Sequence, residues 1–337
     1  MADGGRHAVP AAQANMDVEL ARGGSGVDGG TAVRRDAPSA QAPPVKRMRV
    51  YEAWEGNEVF FCGGRIMAGP NWKATLGTTL VVAIPTALFI AFPSVYLMQN
   101  VSVAFMVISC VLPVLVLTWL WMTATVDPGV IPRQQPDQEY VMGMKPRSKE
   151  VLVNGQRVMI RYNDTCHFYQ PPRAHHCSIN DNCIERFDHH CPWVGTTIGK
   201  RNYRTFLLFV YVTTVFCLYV IGCSIAAIFV REKELSDERS PGDQSSVWPA
   251  TLVDSAPAIV VAAYAFLFSL FVGGLSNFHC YLVGTNQTTY EKFRYSQKDR
   301  TNPYDRGLLR NCFEVWCTPT PPPQFDARAP GPARLPP

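Results

Sequence analysis

The fold of this 337-residue chain is decided by residues 206–230, which read FLLFVYVTTVFCLYVIGCSIAAIFV. This stretch contains no Asp, Glu, Lys, Arg or His. An α-helix needs about 20 apolar residues to cross the hydrocarbon core of a bilayer, because each residue adds about 1.5 Å along the axis. A helix also satisfies its own backbone hydrogen bonds, which lipid cannot do. Residues 206–230 are therefore predicted to form a transmembrane helix.

Three more uncharged apolar stretches flank this one, at residues 75–97, 103–124 and 256–278. Buried helices of a soluble protein could be apolar too, but four helices this long and uncharged favour a membrane protein. Charged residues make up only 17% of the chain, below the quarter that is usual for soluble domains. Pro85, Pro93 and Pro113 lie inside the first two stretches and are expected to bend them. The predicted fold class is an all-α integral membrane protein, with four transmembrane helices and a cytosolic Cys/His-rich, zinc-finger-like loop.

The loops between the apolar stretches differ in charge, and this difference indicates their orientation. The loop from residue 126 to 205 is basic and contains Arg133, Lys145, Arg147, Lys149, Arg157, Arg161, Arg173, Arg186, Lys200, Arg201 and Arg204. The loop from residue 231 to 255 holds three basic residues against six acidic ones. Because basic flanking loops stay in the cytosol, both termini and the loop 126–205 are predicted to be cytosolic.

The composition of the remaining segments predicts the rest of the organisation. Residues 1–45 have few large apolar side chains and lack the pattern of a signal peptide, so we expect a disordered tail. The net charge of +4 is too small to favour nucleic acid as a partner. The predicted segments are the tail 1–45, a juxtamembrane arm 46–74, transmembrane helices 1 and 2 in 75–124, a cytosolic cysteine-rich domain 125–205, transmembrane helices 3 and 4 in 206–283, a cytosolic C-terminal region 284–317 and a Pro-rich disordered tail 318–337.

The loop 126–205 carries four of the chain's 11 cysteines, at positions 166, 177, 183 and 191, interleaved with histidines. This pattern is typical of metal binding or catalysis in a reducing compartment rather than of a disulfide framework. Cys and His are the ligands that zinc prefers in a loop too short to form its own core. A regular zinc motif would contain Cys-x-x-Cys pairs, however, and this loop has none.

The group Asp188-His189-His190-Cys191 places an acid, two imidazoles and a thiol at consecutive positions. A thiolate nucleophile needs a nearby base, and the base needs an orienting partner. Pro192 favours an extended backbone at Cys191, so His189 and Cys191 can share one face while His190 points the opposite way and is free to bind a metal. The alternative is that these are polar loop residues or members of a zinc site.

Residues 161–206 resemble the cysteine-rich domain of the DHHC family of protein S-acyltransferases, or palmitoyltransferases. The resemblance rests on PRAHHC (172–177), CIERF (183–187), DHHCPWVG (188–195) and GKRNYR (199–204). Further similar motifs are DPG (127–129), TTYE (288–291), and NPYDRG (302–307) with Asn311. WEGN (54–57) and GGR (63–65) resemble the plant branch of the family. The similarity spans residues from about 50 to 317 with its motifs in the family's order.

The resemblance implies two zinc sites, each with three cysteines and one histidine. The first site would use position 163 with Cys166, His176 and Cys183, and the second would use Cys177 and His190 with positions 180 and 197. Asn163, Asn180 and Thr197 stand where the family has cysteines. The first site keeps three of four ligands and the second keeps two. We therefore expect zinc at the first site, with water or Asn163 as the fourth ligand, and none at the second. Where zinc is lost, side-chain hydrogen bonds and docking on the membrane helices must hold the loop.

The resemblance also implies the chemistry and the partners. Cys191 would take a fatty acyl group from acyl-CoA as a thioester and pass it to membrane-proximal cysteines of substrate proteins. His189 would accept the thiol proton, Asp188 would orient His189, and the acyl chain would lie among the helices next to membrane lipid. Predicted contacts with CoA are Trp193, Lys200, Arg201 and Arg204. The basic residues among them could instead be ordinary juxtamembrane charges facing anionic lipid.

Two other functions are considered. A non-catalytic membrane scaffold of the same fold would explain the missing zinc ligands, but the intact Asp188-His189-Cys191 group favours an enzyme. A channel or transporter is disfavoured, because no ionisable residue lies within the predicted spans. The expected location is the Golgi, the plasma membrane or another endomembrane.

Overall fold

The structure is a computed structural model that describes residues 48–240, 243–294 and 302–331. The predicted disordered tail 1–45 lies outside the described residues. The helices are α1 (Trp72–Phe89), α2 (Val95–Asn100), α3 (Val103–Thr125), α4 (Gln138–Val141), α5 (Tyr203–Asp237), α6 (Trp248–Asp254), α7 (Ala256–Gly284), α8 (Thr289–Arg294) and α9 (Leu308–Cys317). The strands are β1 (Val59–Phe61), β2 (Ile66–Ala68), β3 (Val130–Ile131), β4 (Ser148–Val153), β5 (Gln156–Asn163), β6 (Phe168–Tyr169), β7 (His175–Cys177), β8 (Asn182–Ile184), β9 (His189–Cys191) and β10 (Thr196–Ile198).

Four helical segments are long and apolar enough to span a membrane: Trp72–Asn100, Val103–Thr125, Tyr203–Asp237 and Ala256–Gly284. The predicted four-span membrane fold is therefore confirmed. One leucine or valine from each span, namely Leu80, Val114, Leu218 and Leu267, is more than half exposed. Such apolar outer faces would be unfavourable in water but match the acyl chains of a bilayer.

The first span changes its hydrogen-bonding pattern at Pro93. Between α1 and α2, residues Ile90–Ser94 form a turn of π-helix that contains this proline. Proline has no backbone N–H to donate to the preceding turn, so the helix widens there rather than breaking. Pro85 and Pro113 lie inside α1 and α3, both of which continue through them as α-helix.

The centre of the bundle is α5, which packs against both α3 and α7. Its side chains Phe206, Leu207 and Val220 are buried together with Leu120 of α3 and Val261 of α7. α5 follows β10 after four residues, so the cysteine-rich loop is held directly against the helix at the bundle centre.

The loop between α3 and α5 is folded into short antiparallel strands rather than helices. β3, β8 and β7 form one sheet, β4, β5 and β6 form a second, and β9 pairs with β10. The all-α prediction therefore holds for the membrane part, and these small sheets are an addition to it. In the β9–β10 pair, Cys191 lies opposite Thr196, His190 opposite Thr197 and His189 opposite Ile198.

The two ends of the described chain meet. Val50 N donates to Ala329 O at 3.1 Å, and Gly331 N donates to Met48 O at 2.7 Å. The Phe325 ring packs on Trp54 of the arm, with 4.6 Å between ring centroids. Residues 318–331 belong to the segment for which the sequence predicts disorder, but they follow a defined path back to the arm because backbone pairing and aromatic contacts hold them there.

Candidate active site

The strand β9 places His189 and Cys191 on one face and His190 on the other. His189 has Asp188 and Cys191 as hydrogen-bond partners. His190 faces Asn180, whose Oδ1 lies 3.1 Å from His190 Nδ1. This alternation is the geometry expected for an extended backbone, in which neighbouring side chains point to opposite faces. The thiol and the imidazole of the predicted catalytic group are thus brought together.

Asp188 is buried, with 2% of its surface exposed, and both carboxylate oxygens are engaged. Oδ2 lies 2.6 Å from His189 Nδ1 and accepts a 2.8 Å hydrogen bond from Thr289 Oγ1. Oδ1 accepts a 2.8 Å hydrogen bond from Thr289 N. Burial disfavours the charged carboxylate, but the hydrogen bonds to His189 and Thr289 outweigh it and lower the pKa of Asp188. Asp188 is therefore a fixed anion that orients the imidazole.

The environment of His189 favours its protonated form. Burial alone would lower its pKa, but the hydrogen bonds to Asp188 and Cys191 and the charge of Asp188 raise the pKa of His189 to about 10. The ring packs edge-on against Phe206 of α5, with 5.3 Å between centroids. His189 is thus a strong base, which can take the proton of the Cys191 thiol and hold it at neutral pH.

Cys191 is buried and lines an apolar cavity between the helices. The cavity is lined by side chains of α1, α5 and α7, including Thr78, Val82, Phe209, Cys217, Tyr264 and Phe268. Trp193 also lines it, and 43% of this tryptophan is exposed. A sulfur that lines an apolar cavity is suited to bonding the head of a long aliphatic group.

Two threonines of α1 hold the segment that follows Cys191. Thr75 Oγ1 donates to Val194 O at 2.8 Å, and Thr78 Oγ1 donates to Trp193 O at 2.6 Å. These bonds attach the loop to the first turns of a transmembrane helix. Cys191 is therefore held where the cysteine-rich loop meets the helix bundle.

The geometry of Cys166, His176 and Cys183 fits a metal ion. Their ligating atoms all lie within 4.8 Å of one another, and His176 Nδ1 is 3.5 Å from Cys166 Sγ and 4.0 Å from Cys183 Sγ. The hydrogen bond between the two thiols lowers the pKa of Cys166 and, together with burial, raises the pKa of Cys183. Asp181 Oδ1 lies 3.4 Å from His176 Nε2, a typical outer partner of a ligating histidine.

Asn163 does not complete this set. Its Oδ1 accepts hydrogen bonds from the backbone N–H groups of Cys166, at 2.8 Å, and Thr165, at 3.1 Å. The side chain therefore closes a turn, and a metal ion here would have three protein ligands with a fourth position open to water. Cys177 and His190, the predicted ligands of the second site, join no comparable group among the described residues.

Comparison with known proteins identifies the family. The family model described as DHHC palmitoyltransferase matches residues 158–296. Protein S-acyltransferase 8 of Arabidopsis thaliana is 41% identical over 302 residues, which cover 83% of this chain and 72% of that protein. The chain belongs to the DHHC palmitoyltransferase family. Two further Arabidopsis thaliana relatives of this DHHC protein are Probable protein S-acyltransferase 6, 39% identical over 84% of the chain and 70% of that protein, and Probable protein S-acyltransferase 1, 36% identical over 84% of the chain and 86% of that protein.

The basic residues predicted to meet CoA have protein partners in this DHHC protein. Lys200 pairs with Glu185. Arg201 contacts Asp127 Oδ2 at 2.6 Å and donates to Pro321 O at 2.9 Å, and Arg204 donates to the carbonyl groups of Val315 and Thr318. Arg201 thus joins the end of the loop to its beginning, and both arginines contact the C-terminal region. The contacts with CoA stay a prediction without support from these side chains.

Sequence reasoning missed His279, which is the first ionisable residue after the fourth apolar stretch. It lies on α7, is 1% exposed, and its Nδ1 is 3.0 Å from Tyr203 OH. Its ring centroid is 6.2 Å from that of His189. The stretch predicted as the fourth span ended one residue earlier, at Phe278, although a buried ionisable residue at the end of a span is itself a signal of function.

Proposed function

We propose that this protein is a membrane-embedded protein-cysteine S-acyltransferase in which Cys191 carries the acyl group. Family membership and the curated S-acyltransferase relatives support transfer of a fatty acyl group, above all palmitoyl, from acyl-CoA to cysteine thiols of proteins. The observation that carries the assignment of Cys191 is its position between the Asp188–His189 pair and an apolar cavity.

In the first half-reaction, His189 accepts the proton of the Cys191 thiol, and Sγ attacks the carbonyl carbon of the acyl-CoA thioester. A new bond forms between the carbonyl carbon and Cys191 Sγ, and the bond from this carbon to the CoA sulfur breaks. CoA leaves as a thiol with the proton from His189. The fixed carboxylate of Asp188 stabilises the imidazolium between these two proton transfers.

In the second half-reaction, a cysteine thiol of the substrate protein takes the place of CoA. It gives its proton to His189, attacks the acyl-enzyme carbonyl carbon and releases Cys191, which regains the proton. One thioester replaces another in each step, so neither step needs an outside source of energy.

The cavity between α1, α5 and α7 would hold the acyl chain. Its lining is apolar apart from a few hydroxyl groups. Burial of a C16 chain at about 0.8 kcal/mol per CH₂ would contribute on the order of 10 kcal/mol to binding. This energy would anchor the donor with its thioester at Cys191.

Zinc at Cys166, His176 and Cys183 would have a structural role. These residues lie before β6, on β7 and on β8, so a metal ion would cross-link the two sheets of the loop. It supplies no chemistry to the acyl transfer. The closeness of the three ligating atoms and the carboxylate behind His176 support this assignment.

The charge of the loop predicts the orientation of the protein in the membrane, and the position of Cys191 predicts its acceptor proteins. The basic loop 126–205 favours a cytosolic cysteine-rich domain, with both termini on the same side of a Golgi, plasma or other endomembrane. Because α1 holds the Cys191 loop against the bundle, we expect membrane-proximal cysteines of partner proteins as acceptors.

The test is to incubate the purified full-length protein with radiolabelled palmitoyl-CoA. We expect a hydroxylamine-sensitive label at Cys191 that the Cys191→Ser variant lacks, with unchanged zinc content in that variant. A label of normal intensity on Cys191→Ser would refute the role of Cys191. A well-folded wild-type protein that takes no label would favour the scaffold.

A further inference from the structure

A closed cluster of polar side chains lies behind the catalytic strand, on the face opposite to Cys191. Asn180 and Thr197 in it have no exposed surface, and Cys177 is also buried. Thr197 Oγ1 lies 2.7 Å from Asn180 Oδ1 and 3.0 Å from Cys177 Sγ. His190 Nδ1 lies 3.1 Å from Asn180 Oδ1 and 3.2 Å from Thr197 Oγ1. The four side chains thus bond to one another.

The spacing of these side chains does not fit zinc. A tetrahedral zinc ion with bonds of about 2.0–2.3 Å holds its donor atoms about 3.3–3.8 Å apart. The nitrogen and oxygen atoms of Asn180, His190 and Thr197 are closer than this, at hydrogen-bond distances of 2.7–3.2 Å. An amide and a hydroxyl are also poor zinc ligands beside a single thiol and a single imidazole. The cluster holds together without a metal.

The cluster is anchored on a carboxylate from the juxtamembrane arm. Glu58, which is 7% exposed, accepts hydrogen bonds from Asn180 Nδ2 at 3.0 Å, Asn182 Nδ2 at 2.8 Å and Trp54 Nε1 at 2.7 Å. Asn180 is thus the bridge, because its oxygen faces Thr197 and His190 while its nitrogen donates to Glu58. The backbone supports the same contact, since Asn57 N donates to Asn180 O at 2.9 Å.

We infer that Glu58 is a positioning residue for acyl transfer, which acts through Asn180 on the β9–β10 hairpin in place of a second metal ion. His190 lies between His189 and Cys191 on β9, and Thr197 lies opposite it on β10. Fixing His190 and Thr197 from behind therefore fixes the register and tilt of the strand that presents the thiol to its base. This inference rests on the proposed role of Cys191.

The first test measures the single-turnover rate of Cys191 acylation with radiolabelled palmitoyl-CoA in purified full-length variants. Glu58→Gln presents an N–H group where Glu58 now accepts, and should slow acylation about tenfold, the value of one hydrogen bond to a buried charge. Thr197→Val removes only the hydroxyl from the cluster and should slow acylation of Cys191 to a similar extent. Glu55→Gln, on the exposed part of the arm, is the matched control and should keep the wild-type rate. A wild-type rate in both Glu58→Gln and Thr197→Val would overturn the inference.

The second test converts the cluster into a metal site. The double variant Asn180→Cys/Thr197→Cys adds two thiols to Cys177 and His190, so it should bind one more equivalent of zinc than the wild type. Acylation in this background should no longer depend on Glu58, because a metal cross-link replaces the hydrogen bonds. An unchanged zinc content, or a Glu58→Gln defect as large as in the wild type, would count against the inference.

Zinc content and melting temperature separate this inference from the proposed function. If wild-type Cys191 takes no label, the proposed function fails and the positioning role fails with it, whatever the zinc content. If Cys191 is labelled normally and the wild type already holds two equivalents of zinc, the inference alone fails. Melting curves show whether a slow variant is unfolded. If Glu58→Gln is unfolded, the acylation rate of Thr197→Val decides whether the inference holds.

Discussion

At the scale of single residues, the active group depends on a side chain that lies a hundred positions away in the sequence. Thr289 gives Asp188 two hydrogen bonds, one from its backbone N–H and one from its hydroxyl. A buried carboxylate without such donors would pick up a proton and could no longer stabilise an imidazolium. Thr289 therefore adds to the effect of His189 in keeping Asp188 ionised, and it fixes the direction of the carboxylate.

The first prediction concerns this hydroxyl. Thr289→Val keeps the shape and the backbone N–H but loses the bond to Asp188 Oδ2, so acylation of Cys191 should slow by about tenfold or more. The measurement is single-turnover labelling with palmitoyl-CoA. Thr285→Val, whose hydroxyl donates to Tyr281 O one turn earlier, should label at the normal rate; equal rates in the two variants would contradict the role of Thr289.

The second prediction follows from the pKa of His189. Because folding raises it from 6.5 to about 10, the protonated imidazole stabilises the fold fully below pH 6.5, and this stabilisation disappears as the pH rises to about 10. Its size is on the order of a few kcal/mol. The melting temperatures of the wild type and His189→Ala should therefore converge between pH 6.5 and 10. A gap that stays constant over this range would contradict the raised pKa.

At the scale of elements, the cysteine-rich loop is joined to the C-terminal region by a buried ion pair. Arg173, just before β7, makes two hydrogen bonds to Glu291 of α8, at 2.7 and 2.8 Å. It also donates to the side chain of Asn286, and its guanidinium lies 4.2 Å from the centre of the Tyr304 ring. Because α8 carries Thr289, this pair sets the distance between the loop and the residue that orients Asp188.

The third prediction removes one charge of this pair. Glu291→Gln removes the carboxylate that pairs with the buried charge of Arg173, which should destabilise the protein by about 3 kcal/mol or more. A thermal melt in detergent measures the loss. Glu150→Gln, which breaks an exposed pair with Arg157, should cost little, since exposed ion pairs contribute at most about 1 kcal/mol. Similar melting temperatures for the two variants would be evidence against the pair's importance.

The fourth prediction concerns the metal. We expect one equivalent of zinc in the purified wild type and none in His176→Ala, because two cysteines alone hold zinc poorly. Metal analysis by mass spectrometry measures both. Removal of zinc by a chelator should lower the melting temperature of the wild type and leave that of His176→Ala unchanged. Two equivalents in the wild type would show that the cluster around Asn180 binds metal after all.

The elements show which features a sequence can reveal. The four spans could be predicted because a helix in lipid must be apolar along its whole length. The sharing of one face by His189 and Cys191 could be predicted from strand alternation next to Pro192. The small sheets could not, since β9 and β10 have three residues each and too few positions for a periodic pattern. Glu58 was missed because its partners are brought close only by folding. The TTYE motif at 288–291 drew attention to Thr289 as a residue that ties the C-terminal region to the loop, but the sequence could not show that its partner is Asp188.

At the scale of the whole molecule, basic side chains that look unpaired in the sequence have partners in the folded protein. Lys200, Arg201 and Arg204 read as free cations in a juxtamembrane run, yet each has a protein partner. The surroundings of the apolar residues are easier to predict, since the sequence already indicates that the outer faces of the spans meet lipid. Partner choice among charged side chains depends on the tertiary structure, so ligand contacts inferred from charge alone are the least secure.

The fifth prediction tests the orientation of the whole chain. Cys62 of the arm and Cys317 at the end of α9 are exposed, so a membrane-impermeant maleimide should label both in sealed vesicles with the cytosolic face outward. A cysteine introduced by Gln244→Cys, in the loop between α5 and α6, should react only after detergent opens the vesicles. Labelling of all three positions without detergent would contradict the four-span topology.

The pairing of the two ends of the described chain has a consequence for biosynthesis. Arg49 donates to the carbonyl group of Arg328, 279 positions later. A ribosome must therefore add all the intervening residues before the arm that carries Glu58 can contact the segment around Arg328. A polypeptide that terminates before residue 328, even after the last span has been inserted, would lack this contact, and its arm would not be held from the C-terminal side.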